Sequence, residues 1–163
     1  AEYAVHALET ACNLWPDEKA LQERLAHALR VRARGLVASG RPVEAELLLR
    51  RALELPVDTY DVLVELGNLL KRQDGRGDEA VSVLREAVER RPDDHRGWGN
   101  LAQALGLSDR DDEALDAISR ALSLFSEEPL LWETKAWLHH KAGEGTEAAE
   151  ATRRAAELRE SQG

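Results

Sequence analysis

A chain of 163 residues has the length of one domain, and its formal net charge of −9 disfavours partners such as nucleic acid or an anionic membrane surface. No apolar run approaches the roughly 18 residues that a membrane-spanning helix needs, so no membrane insertion is expected. Apolar residues make up 43% of the chain but aromatic ones only 4%, so the core must be built from Leu, Ala and Val. The single Cys12 permits no internal disulfide and fits a reducing compartment, which gives a cytoplasmic expectation. The chain has no methionine and opens at Ala1, as expected of a piece cut from a longer protein whose targeting signals would lie elsewhere.

Helical periodicity runs from end to end. The first predicted helix, Glu2 to Leu14, turns Ala4, Leu8, Ala11 and Cys12 inward and stops at Trp15-Pro16-Asp17, because proline cannot continue it. Asp17 to Ala38 follows as an unusually long helix striped by Leu21, Leu25, Leu29, Ala33 and Leu36. Its first turns should overhang or pack on the first helix. Arg41 to Leu55 returns, with Pro42 in the first turn, where a missing N–H is harmless. Asp58 to Gln73 starts on Asp58 or Thr59 as N-cap, and Asp78 to Arg91 opens with acids, as the helix dipole favours. Asp94 to Leu107 shows Trp98, Leu101, Ala102 and Leu105 on one face. After the polar run at 108–112, Asp111 to Phe125 turns Ala114, Ile118 and Ala121 inward. Glu128 to Ala142 and Gly145 to Arg159 complete nine helices. The last has Leu158 as its one large apolar residue, so it has the polar outer face of a final helix, and the tail beyond it should fray.

The helices repeat in pairs. Ala45, Ala80, Ala114 and Ala148 are separated by 35, 34 and 34 residues, and each is followed seven residues later by Ala52, Ala87, Ala121 or Ala155. Between them stand Leu49, Leu84, Ile118 and Thr152. A period of about 34 residues with helix–turn–helix content marks stacked helix pairs, none of which can bury its apolar face alone. Trp98 and Trp132 fill one slot, with Leu29 and Leu63 in their place earlier. Leu66-Gly67-Asn68 and Leu101-Ala102 fill the next, Pro92 and Pro56 close units, and Gly40 and Gly143 sit in the turns.

In these residues the chain resembles the tetratricopeptide repeat family. The resemblance implies an all-α fold, a right-handed superhelical solenoid of stacked antiparallel helix pairs, in one domain over 1–163. It divides into a half repeat at 1–16 and repeats at about 17–57, 58–93, 94–127 and 128–160. The second-helix aromatic of the family is missing, three extra residues fall within 126–128, and one falls within 73–77. The half repeat is either the remainder of an upstream unit or a cap, with continuation favoured.

No arrangement of residues suggests catalysis, a metal or a cofactor. His139 and His140 are adjacent, so they point about 100° apart on a helix and make poor co-ligands. Cys12 lies on an apolar face as a core residue. The acids at 109–113 suit a helix start and lack the spacing of a calcium loop. In the family each unit's first helix lines the concave groove, and the stretches 22–38, 60–73, 95–107 and 129–142 of these helices carry +5 in total, leaving −14 for the rest of a chain of −9. A groove lined by one sign of charge attracts the other. The residues implied to face it are His27, Arg30 and Arg34, then Asn68, Lys71 and Arg72, then Arg96, Asn100 and Gln103, then Trp137, His140 and Lys141. Trp137 would be a flat apolar anchor. Gly99 and Gly106 on the same stretch would serve either close approach of a ligand backbone or helix–helix contact. Family members that clamp a C-terminal carboxylate use Lys, two Asn, then Lys and Arg. Asn68 and Asn100 match, but Val64, Leu130 and Thr134 replace the cations, and Glu65 stands where an alternative register needs Asn.

The function implied is a non-catalytic scaffold that holds an acidic protein or peptide segment in the groove. A regulatory or substrate-recruiting arm of a larger enzyme or assembly machine is the second reading, and self-association through the stack ends the third.

Overall fold

The computed structural model describes residues 2–162, with only the backbone described for Glu2. Among the described residues there are nine α-helices and no strand: α1 (Glu2–Leu14), α2 (Lys19–Ala38), α3 (Pro42–Leu53), α4 (Tyr60–Leu70), α5 (Gly77–Arg90), α6 (His95–Leu107), α7 (Asp111–Leu124), α8 (Pro129–Lys141) and α9 (Gly145–Gln162). The chain falls into two compact units, Ala1–Leu69 and Leu70–Gly163. No helix of the described residues is long and apolar enough to cross a membrane.

In the first unit α2 lies between α1 and α3. Val5 is buried in α1 where the sequence pointed to Ala4, which is exposed. Val5, Leu8 and Cys12 form the better stripe because valine offers more area to bury than alanine. At the start of α2 Lys19, Ala20, Glu23 and Arg24 are exposed, while Leu21 and Gln22 are half-buried and Gln22 Nε2 donates to the Pro16 carbonyl. Asp58 caps α4, its carboxylate accepting the Tyr60 N–H at 3.0 Å, while Thr59 is buried. The α4 helix ends at Leu70, three residues short of the expected Gln73.

In the second unit α5 packs on α6, α6 on α7, α7 on α8 and α8 on α9, and α6 also touches α8 directly. Asp94 caps α6 through the Arg96 N–H at 2.9 Å. The tryptophans of α6 and α8 hold the chain just ahead of each helix: Trp98 Nε1 donates to the Pro92 carbonyl at 2.9 Å, and Trp132 Nε1 to the Ser126 carbonyl at 2.8 Å.

The repeat is visible in the backbone. Left-handed residues occur at Gly40 (φ 73°), Gly75 (φ 74°), Asp109 (φ 57°) and Gly143 (φ 80°), in the α2–α3, α4–α5, α6–α7 and α8–α9 turns. After three of them the next amide reaches back five residues, Arg41 to Leu36, Arg110 to Leu105 and Glu144 to His139, which closes the helix end in a Schellman turn. Asp109 performs this with a side chain, at a cost of about 1 kcal/mol for an L-residue there. The extra residue at 73–77 gives the Gly75 turn a different pattern, Arg76 bonding back to Gln73.

The alanine series lies at the core of the units: Ala45, Ala52, Ala80, Ala87, Ala114 and Ala121 are fully buried. Leu49, Leu84 and Ile118 between them are buried too, each worth about 2 kcal/mol. In α9 the pattern relaxes, with Thr152 exposed and its hydroxyl bonded to the Ala148 carbonyl.

Candidate functional site

The first helices of the repeats position the residues expected to bind. In the first unit, Arg30 on α2 meets Glu65 on α4, Nη1 to Oε1 at 3.1 Å, and Arg34 Nε reaches the same oxygen at 3.1 Å. His27 is exposed and its Nδ1 lies 3.3 Å from Arg30 Nη2. Burial pushes the Glu65 carboxyl above the usual carboxylate range, although Arg34 and Arg30 pull it down. A cavity of about 200 Å³ beside them is bordered by Glu23, Asp58 and Asp61 as well as by His27 and Arg30. Both arginines of this face are thus held by an acid of their own unit. Asn68 is half-buried on α4.

The second unit arranges its face differently. Lys71, just past α4, sends its ammonium to the side-chain oxygens of Asn100, at 3.1 Å, and Gln103. Gln103 Nε2 donates to Thr134 Oγ1 at 2.9 Å, and that hydroxyl donates to the Leu130 carbonyl. Asn100 Nδ2 donates to the Arg96 carbonyl at 2.9 Å. Burial, and then the charge of Arg72, push the Lys71 amine down to about 8. Arg72 is exposed.

Arg96 folds back onto Asp94, Nη2 to Oδ2 at 2.7 Å. Lys141 reaches the turn of the preceding repeat, bonding the Gly106 carbonyl at 2.6 Å and Asp109 and Asp111 at 2.7 Å each. Those two acids hold its proton more tightly than usual. His140 is exposed, whereas His139 is half-buried with Nδ1 2.5 Å from Glu144. Among the described residues no group of three His, Cys, Asp or Glu could hold a metal ion.

Gly99 and Gly106 serve helix contact, which decides between their two expected uses. A Cβ on Gly99 would stand 2.6 Å from Leu131 Cδ2. One on Gly106 would stand 2.6 Å from Leu138 Cδ2 and 2.7 Å from the Trp137 ring. This close fit of α8 on α6 leaves a cavity of about 290 Å³ bordered by Gln103, Leu107, Glu133, Thr134 and Trp137. Leu107 and Trp137 at its border are exposed, at 56% and 37%. The sequence pointed to Trp137 on this face, and it borders the cavity. Leu107, which also borders it, had no such mark in the sequence beyond being a large apolar residue at the last position of a helix.

Two tetratricopeptide repeat models match the chain, over residues 30–94 and 71–138. The chain belongs to the tetratricopeptide repeat family. Over 103 residues it is 33% identical to tetratricopeptide repeat protein 7A of Homo sapiens, a stretch that covers 63% of this chain and 12% of that protein. Over 79 residues it is 37% identical to the peroxisomal targeting signal receptor of Eremothecium gossypii, covering 48% of this chain and 14% of the receptor. The chain therefore spans a small part of the length of either relative. Among solved structures it is similar to MamA, with a TM-score of 0.75 at 16% identity over 97% of this chain and 88% of that one. It is also similar to YrrB, described as a TPR protein with an unusual peptide-binding site, with a TM-score of 0.73 at 17% identity over 96% and 77% of the two chains. At these identities the likeness concerns the fold.

Proposed function

We propose that this tetratricopeptide repeat chain is a protein-interaction scaffold that holds an acidic segment of a partner protein against the α6–α8 face of its second unit. The observation that carries this reading is the 290 Å³ cavity, whose open apolar surfaces, Leu107 and Trp137, adjoin the polar side chains of Gln103 and Thr134. An apolar anchor beside a few placed hydrogen-bonding groups is what a peptide side chain needs. A relative named as a receptor for a targeting signal and a fold neighbour described as peptide-binding support the class of partner. The preference for acidic segments is supported by the +5 carried by the stretches 22–38, 60–73, 95–107 and 129–142 against −9 overall. It is tempered by the carboxylates that already hold Arg30, Arg34, Arg96 and Lys141.

The test is selection of random heptapeptides on phage against the full chain, followed by calorimetry with the enriched peptides. Trp137→Ala and Leu107→Asp should each weaken binding roughly tenfold, which corresponds to about 1.4 kcal/mol. Enriched peptides that bind both variants as tightly as the unaltered chain would overturn the assignment of this face.

A further inference from the structure

We propose that α1 and α2 form a self-association surface, on which a second copy of this chain docks its own α1 and α2 to make a four-helix bundle. The inference uses none of the residues of the peptide-binding reading and stands apart from it.

Val5, Leu8 and Cys12 share the side of α1 that packs on α2, and Glu9 holds Arg51 of α3 at 2.6 Å. The side of α1 away from these contacts is apolar and open. Ala4, Ala7, Ala11 and Leu14 recur there at three, four and three residues, with Tyr3 beside them. Leu14 and Tyr3 are 65% and 91% exposed. In the register of the repeat Ala4 and Ala11 match Ala45 and Ala52 of α3 and Ala114 and Ala121 of α7, which are fully buried in helices that pair with a first helix. Here Ala4 is exposed and Ala11 half-buried. On α2 the side facing away from Arg30, and so away from Glu65 of α4, repeats the pattern. Leu21, Arg24, Ala28, Val31, Gly35 and Ala38 recur at alternating three and four residues, and none of them is buried. That stripe runs for about 25 Å along the helix. Only α2 among the first helices has the length for it, with 20 residues against 11, 13 and 13 in α4, α6 and α8.

Spacing, shape and charge each select a second copy as the occupant. Steps of three and four residues average 3.5, the period of helices that pair along a long seam, and both helices carry it. The α1 stripe is complementary to itself. In an antiparallel two-fold pairing of α1 with α1, Leu14 of one copy falls beside Ala4 of the other, and Ala7 beside Ala11. Large then meets small, and every contact occurs twice. The charges agree with this arrangement. α1 has two acids and no Lys or Arg, whereas α2 has five of these cations and one acid. The α1 of one copy is therefore drawn toward the α2 of the other, while a seam of α2 on α2 would set Arg24 against Arg24. The contact takes in about ten residues of each copy, against roughly 20–30 a side in a standard interface, so the dimer should come apart in the micromolar range.

The experiment is sedimentation equilibrium of the full chain from about 1 μM to about 1 mM, a range that brackets a micromolar dissociation constant. The expected result is a reversible monomer–dimer equilibrium. Ala7→Glu and Val31→Glu each place a charge in the seam at a position exposed in the single chain, so circular dichroism should show both folded. Each should weaken the dimer at least tenfold, because the charge is buried on pairing. Leu47→Glu is the control. Leu47 of α3 is 64% exposed, more than the 44% of Val31, but lies outside the proposed seam, so this variant should dimerise like the unaltered chain. A chain that stays monomeric at every concentration overturns the proposal. So does a Leu47→Glu variant that dissociates as readily as Ala7→Glu, which would place the contact elsewhere or reduce it to general stickiness. A third arm adds a synthetic peptide of Asp94–Leu107, a first helix of this repeat, to the isotopically labelled chain. Shifts at α1 and α2 in a chain that remains monomeric would give the surface to a first helix from another source and refute the second copy.

Discussion

Replacing Gly106 by alanine sets two known effects against each other. In an open helix the change is favourable by about 1 kcal/mol, because alanine loses less backbone freedom than glycine. Gly35, in α2, is such a position: nothing lies within 4 Å of where its Cβ would be. At Gly106 the added methyl would stand 2.6 Å from Leu138 Cδ2 and 2.7 to 2.8 Å from two atoms of the Trp137 ring. Leu138 is fully buried and an indole cannot bend, so α8 must shift or both side chains must leave their rotamers. Overpacking of this kind costs about 1–3 kcal/mol, which cancels the propensity gain and leaves Gly106→Ala destabilised by about 1 kcal/mol. Gly99→Ala meets a single leucine methyl and should fall between the two. For a chain of 163 residues this places Gly35→Ala about 2–4 °C above the unaltered chain and Gly106→Ala about 2–4 °C below it in thermal unfolding followed by circular dichroism. Because Trp137 also borders the cavity, peptide affinity should fall in Gly106→Ala and stay unchanged in Gly35→Ala. A Gly106→Ala chain as stable as Gly35→Ala would refute the claim that close approach of α6 and α8 is what selects glycine.

Burial raises the Glu65 carboxyl above its ordinary 4.5, so the folded chain holds that proton more tightly than the unfolded one. Stability from this group is complete below pH 4.5 and is lost as pH rises through the raised value, so the unaltered chain should lose ground to Glu65→Gln over that window in urea unfolding. The opposite slope would mean that Arg30 and Arg34 outweigh burial. Lys141→Gln should cost about 1 kcal/mol by the same assay, and less in high salt, because it removes the ammonium that joins Asp109, Asp111 and the Gly106 carbonyl. Trp98→Phe should cost about 1 kcal/mol for the lost bond to the Pro92 carbonyl; an unchanged midpoint would show that water replaces it. Replacing Arg30 and Arg34 together by Gln should change the salt dependence of peptide binding little, since Glu65 already balances those charges.

The helices, their pairing and the family could be read from the sequence because each rests on local geometry. An alanine every 34 or 35 residues, with a partner seven residues on, can only fall on one face of a repeated helix, and those alanines are buried. Gly40 and Gly143 were legible as turn residues because glycine enters a left-handed backbone without strain. Asp109 in the equivalent turn was not, because aspartate is common in ordinary turns too.

The charge state of the face belongs to the tertiary structure. The net count of cations on the first helices is a property of composition, but which of them meets an acid is decided by long side chains reaching between helices. Arg30 and Glu65 are 35 residues apart, Lys71 and Gln103 are 32 apart, and Lys141 and Asp109 are 32 apart. The apolar stripe that defines the repeat does not specify which of these long side chains meet. Periodicity therefore determined where the helices bury themselves, and only their packing decided that Glu65 would hold two arginines while Lys71 met nothing but amides.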